Sequence, residues 1–162
     1  MDNFMLQPIS PLNGYSRKFG ENKLEEVDNM KVISIATSEE NKNFLDKELL
    51  KIFNIGLPVP GKSNLSSDGS IRLLGLSLDQ WLVVCSEQEC NLDSILDGSL
   101  PEKAYLTLQT DAWVMIRISG PSAITALERI CPVNLDPQIF LKNYIARTIM
   151  EHLGSIVICE DL

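Results

Sequence analysis

The chain has 162 residues, 44% hydrophobic and 22% charged, so it is long enough for a packed core and too apolar for wholesale disorder. Fourteen Lys and Arg against 22 Asp and Glu leave a net charge of −8 with no basic run, which argues against a nucleic-acid backbone as partner. The longest apolar runs, around Trp81–Cys85 and Ile156–Cys159, fall far short of the ~20 residues of a membrane span.

Met1–Pro8 has neither the basic nor the apolar region of a signal peptide, so a cytoplasmic protein is the expectation. Cys85, Cys90, Cys131 and Cys159 form no CxxC and read as reduced, buried thiols.

In chain order, residues 1–20 carry Pro8, Pro11, Gly14 and Gly20 and read as an irregular leader. Lys31–Ala36 is a β-rich run, with Leu24–Val27 placed to pair with it across Asp28-Asn29. Ser38 looks like an N-cap ahead of Glu39 and Glu40. Phe44, Leu45, Leu49, Ile52 and Phe53 then recur at helical spacing, predicting a helix over 38–54 that stops at Asn54–Gly56.

Residues 56–70 read as loop. Strands follow at Ile71–Leu76 and Gln80–Cys85, then a short helix over Cys90–Leu96. Tyr105–Gln109 and Trp113–Ser119 read as a hairpin turning at Thr110-Asp111-Ala112. Alternation in its second arm sets Val114, Ile116 and Ile118 against Trp113, Met115 and Arg117. Gly120-Pro121-Ser122 opens a second helix with Ala123, Ile124, Leu127, Ile130 and Cys131 on one face, ended by Pro132. Strands at Tyr144–Met150 and Ser155–Cys159 flank a turn at Glu151–Gly154. Hairpins feeding helices in this order predict an α+β fold, with helices packed on mainly antiparallel sheet.

Few motifs carry chemistry. Gly56–Ser63 satisfies GxxxxGK[ST], but Pro58 and Pro60 delete two backbone donors, and neither a strand before nor a helix after frames the loop. Cys85-x4-Cys90 offers two ligands where a structural zinc needs four, so no metal site is expected. There is no GxSxG elbow, no GxGxxG, and His152 is the single histidine, beside Glu151 in a turn. Trp81 and Trp113 read first as core and, if exposed, as partner hot spots. Arg117 and Arg147 sit inside apolar strand-like runs, where a guanidinium faces solvent, a carboxylate or an anionic ligand. Arg147 is followed directly by Thr148. No catalytic set emerges.

From Gln109 to Gly154 the chain resembles the gamma subunit of heterotetrameric sarcosine oxidase. The stretches that carry the resemblance are Gln109-Thr110-Asp111-Ala112-Trp113-Val114, Ile116-Arg117-Ile118-Ser119-Gly120-Pro121-Ser122-Ala123, Leu127 through Leu135, and Ala146 through Gly154. Ser10-Pro11-Leu12, Leu57-Pro58-Val59-Pro60-Gly61 and Asp79-Gln80-Trp81-Leu82-Val83 follow the same order upstream. Leu78, Leu108, Asn134 and Asp136 depart from the family pattern. The family continues past this C-terminus with a strand and a helix, so the resemblance implies an edge for a partner chain to cover.

That resemblance implies a folate-binding, aminomethyltransferase-like fold of two interlocked βα halves. It makes 1–162 one sarcosine oxidase gamma-like domain, with halves at about 21–98 and 101–162 behind the 1–20 leader. It further implies a non-catalytic chain beside larger alpha and beta flavoprotein subunits and a small delta subunit. In such assemblies sarcosine is oxidised to glycine, the one-carbon unit passing to tetrahydrofolate or leaving as formaldehyde, with hydrogen peroxide formed. FAD, FMN, NAD and tetrahydrofolate are then expected on the complex and no cofactor on this chain. The competing expectation is a stand-alone module for folate or another one-carbon carrier. The candidate ligand or partner residues are Arg147, Thr148, Trp113 and Trp81.

Overall fold

The structure, a computed structural model, describes residues 9–86, 100 and 103–160. The predicted helix over 90–96 lies outside the described residues. Ten strands and two α-helices give a sheet-rich α+β fold among the described residues, as the hairpin-and-helix pattern predicts.

The centre is a five-stranded antiparallel sheet in the order β4-β5-β6-β3-β7. Its strands are β3 (Met30–Ala36), β4 (Ser63–Leu65), β5 (Ile71–Gly75), β6 (Gln80–Ser86) and β7 (Tyr105–Leu108). β5 and β6 form the expected hairpin, Leu73 opposite Val83 and Leu74 opposite Leu82. Both are near-continuous apolar runs because both faces of the sheet are covered. On one face α1 (Lys42–Phe53) sets Leu45 and Leu49 against Ile33, Ile35, Trp81 and Val83. On the other, Val32, Leu74, Leu82 and Val84 meet a second layer.

α1 is two-thirds of the predicted span. Residues 39–41 form a 3-10 turn instead, and Ser38 caps nothing with its side chain: its hydroxyl accepts from Asn41 Nδ2 at 3.2 Å. The stop is as expected. Asn54 takes the left-handed conformation at φ 55 and its N–H closes the last turn on the Leu50 carbonyl.

The second layer is built from β1 (Ser16–Phe19), β2 (Asn22–Glu26) and β8 (Ile116–Ser119) in the order β1-β2-β8, and from the hairpin β9 (Ile145–Met150) with β10 (Leu153–Ile158). Ile145, Ile156, Ile158, Trp113 and Met115 face the central sheet. The opposite face of the hairpin, through Ala146, Met150 and Val157, packs with Phe140, Cys131 and with Ile124 and Leu127 of α2 (Ala123–Leu127).

Three expectations are corrected. Residues 16–19 of the supposedly irregular leader are strand β1. β2 does not pair with β3: it lies between β1 and β8. The predicted 105–119 hairpin does not form either, because β7 pairs with β3 while β8 pairs with β2, with a 3-10 turn at Thr110–Ala112 between them. The strand before β3 and the strand before β8 have in effect changed places, each joining the other's sheet. Cysteine usage is corrected as well: Cys85 is in a disulfide, and Cys131 and Cys159 are reduced.

The three-stranded sheet is turned unusually. Pairs Glu25↔Arg117 and Lys23↔Ser119 lie on one face, and Leu24↔Ile118 and Glu26↔Ile116 on the other. The charged face looks inward, where Arg117 meets Glu160 and Glu160 approaches the buried Arg72 of the central sheet. The apolar face looks out to solvent.

Candidate functional site

The best-connected polar cluster sits between the layers. Arg72, 8% exposed, interrupts the apolar face of β5. Its Nη1 donates to Ser63 Oγ and to Asn143 Oδ1, each at 3.0 Å. Its Nη2 lies 4.0 Å from Glu160 Oε1, and Glu160 accepts from Arg117 Nε at 2.9 Å. Ser63 in turn donates its N–H and its hydroxyl to the Asn143 carbonyl. The hydrogen bond to Glu160 raises the Arg117 pKa above its ordinary value, helped by the Glu160 and Glu25 charges against partial burial. Arg72 and Arg117 thus converge on Glu160, and the cluster ties β4, β5 and β8 to the Asn143 and Glu160 segments as a structural clasp between the layers. The reading along the chain passed over Arg72. An arginine in an otherwise wholly buried run, Ile-Arg-Leu-Leu-Gly, was the available signal.

The GxxxxGK[ST] stretch is not a phosphate cradle. Gly61 N–H donates to the Gly75 carbonyl, Lys62 N–H to Val59, and Ser63 N–H to Asn143. Leu57 N–H goes to Asp46 Oδ1 at 2.7 Å, and the Lys62 ammonium lies over the Tyr144 ring. These four donors and the cation are spent inside the fold and not on an anion. Gly75 is required where it is, since a Cβ there would sit 2.4 Å from the Val59 carbonyl oxygen.

The singled-out residues do not converge. Trp81 is buried against α1 and donates Nε1 to the Pro58 carbonyl at 3.0 Å, the core role of its first reading. Trp113 is half-buried between the layers, and its buried Nε1 finds no acceptor among the described residues. Arg147 is exposed and Thr148 half-buried on β9. Being consecutive strand residues they project to opposite faces, Arg147 opposite Ile156 and Thr148 opposite Ser155. They therefore do not form one ligand-binding pair. His152 and Glu151 are the two turn residues of the β9–β10 hairpin, both at positive φ, 72 and 47.

Two further hollows complete the picture. An open cleft of about 560 Å³ lies between the end of α1 and the Ser66–Ser70 loop. Within it Asp68 accepts from the Ser66 and Ser70 hydroxyls, Ser66 foremost, which pulls its pKa down to about 2. The other, about 210 Å³, is lined by Leu12, Tyr15, Leu24, Glu26 and Ile116 on the outward face of the three-stranded sheet. Glu26 is held there by Ser10 Oγ at 2.5 Å and by the Leu12 and Gly14 amides, which lower its pKa. Among the described residues no group of three or more His, Cys, Asp or Glu is arranged for a metal, and no helix is long and apolar enough to cross a membrane.

This is an α+β protein whose described residues form an ionic clasp between the layers and an exposed apolar sheet face. It matches a chain of heterotetrameric sarcosine oxidase from Corynebacterium sp. U-96, solved in complex with pyrrole 2-carboxylate. The TM-score is 0.76 at 20% identity, over 88% of this chain and 73% of that one, so the two share a fold. No family model and no curated protein matches the sequence.

Proposed function

We propose that the chain is a gamma-type, non-catalytic subunit of a heterotetrameric sarcosine oxidase-like assembly. The observation that carries this reading is the shared fold with a chain of such an oxidase over 88% of the sequence. The ordered motifs from Ser10 to Gly154 are the resemblance that suggests the gamma-type assignment.

On this reading the fold is the folate-binding, aminomethyltransferase-like one, a single domain in which the β2 and β7 exchange interlocks two βα halves. FAD, FMN, NAD and tetrahydrofolate belong to the complex, carried by alpha and beta flavoprotein subunits, with a small delta subunit completing it. A cytoplasmic setting goes with the reading, and the Cys85 disulfide pulls against it. A shared fold does not confer folate binding, and the opposed faces of Arg147 and Thr148 remove the pair that motivated a stand-alone folate module.

The test is co-expression with the large flavoprotein subunits of the same organism. Native mass spectrometry is expected to show a stoichiometric complex that turns over sarcosine, while the lone chain has no turnover. A stable monomer that ignores those subunits overturns the assignment.

A further inference from the structure

The outward face of the three-stranded sheet has an internal counterpart that shows what it lacks. β3 and β8 are equivalent by connection: each leads through a short turn into a helix, and each pairs with the strand that precedes the other. In that scheme Ile118 opposite Leu24 corresponds to Ile35 opposite Leu106, and Ile116 to Ile33. Ile33 and Ile35 are 0% exposed because α1 lies over them. Ile116 and Ile118 are 50% and 37% exposed. α2 has five residues and turns Ile124 and Leu127 to the Phe140 cluster, so it leaves β8 bare.

Phe19 and Tyr15 extend this bare face, and the 210 Å³ hollow between Leu12, Tyr15, Leu24, Glu26 and Ile116 opens on it, with the Glu26 carboxylate bonded to Ser10 and to the Leu12 and Gly14 amides. The size suits one large aliphatic or aromatic side chain. The face also carries a charge clue. Arg17 lies opposite Leu24 with its guanidinium 5.0 Å from the Phe19 ring centroid, and it has no ion pair among the described residues. In a chain of net charge −8, an apolar face that also presents the exposed Arg17 guanidinium is complementary to an apolar surface bearing a carboxylate.

We propose that this face seats an amphipathic helix of a partner subunit, in the position over β8 that α1 holds over β3. The helix lays an aliphatic stripe on Ile116, Ile118 and Leu24. It inserts one bulky side chain into the hollow and brings an acidic residue to Arg17. The inference deepens the assignment of the chain to a multi-subunit oxidase and rests on it.

The experiment uses the co-expressed assembly with Ile116→Asp, Arg17→Glu and, as control, Leu78→Asp in the exposed β5–β6 turn. Ile116→Asp is expected to lower recovered complex about tenfold or more and Arg17→Glu by several-fold. The control recovers like wild type, and all three lone chains melt with the wild-type chain. Should Ile116→Asp alone disturb folding, Arg17→Glu decides.

Variants that assemble like wild type overturn the docking site and leave the subunit assignment standing. A wild-type chain that fails to assemble overturns both. A lone chain that is a dimer in size-exclusion chromatography, and becomes a monomer with Ile116→Asp, gives the face to a second copy and overturns the helix.

Discussion

The two faces that α1 and solvent meet are built from equivalent strands and have opposite fates. Over β3 the apolar side chains Ile33 and Ile35 are sealed by Leu45 and Leu49. Over β8 the corresponding Ile116 and Ile118 lie open, while Arg117 on the inward side reaches Glu160. A strand's alternation therefore fixes a period and not a side: the side is decided by what the rest of the chain brings to each face. Where a full-length helix follows the strand, the apolar side is core. Where a five-residue helix follows and turns elsewhere, the apolar side becomes surface, of the kind that marks interaction sites when contiguous.

The contrast can be broken most forcefully in the covered face. Trp81→Ala removes a fully buried ring and its bond to Pro58, and is expected to cost about 3–5 kcal/mol by urea denaturation. Ile118→Ala on the open face is expected to stay within about 1 kcal/mol, well below the cost of a buried truncation. Equal costs would mean that the two faces are not differently covered in solution.

Next is the clasp between the layers. Arg72→Ala leaves Asn143 Oδ1 without that donor and weakens the link to Glu160, for an expected loss of about 1–3 kcal/mol in the same measurement. A null effect would show that apolar packing alone holds the layers together.

The smallest effect is acid titration. Asp68 on the central sheet's loop and Glu26 on the three-stranded sheet both have folded pKa values below their ordinary 3.8 and 4.5. Lowered carboxylates contribute stability that is fully present above those ordinary values. It is lost as pH falls through the folded ones, near 2 for Asp68. Carboxyl-carbon NMR is expected to give Asp68 a midpoint of about 2 and Glu26 one below 4.5. An ordinary midpoint for Glu26 would mean that the Ser10–Gly14 turn is not closed on it.

Much of the fold was legible where the determinants are local. The spacing of Phe44, Leu45, Leu49 and Phe53 marked α1, and the β5–β6 and β9–β10 hairpins follow from runs separated by short turns. The exchange of β2 and β7 was not legible, because propensity marks a strand without naming its partner. Two runs joined by a short turn, as at 105–119, default to a hairpin unless distant strands outbid it. The candidate residues fared by the same rule. Trp81 was readable as core from its apolar neighbours. Adjacency of Arg147 and Thr148 in sequence hid that a strand sends them to opposite sides. Arg72 was hidden because its partners, Ser63, Asn143 and Glu160, are distant in sequence or of unremarkable type.

The exchanged strands have a consequence for how such a molecule can be made and divided. With β2 serving β8 and β7 serving β3, the three-stranded sheet joins segments on either side of the whole central sheet, and a polypeptide emerging from the ribosome cannot finish the central sheet until Tyr105–Leu108 has been synthesised, nor the three-stranded one until Ile116–Ser119 has followed. Folding must wait for pairings between segments some 70 to 100 positions apart, which slows the search. A severed copy would survive only as two mutually dependent fragments.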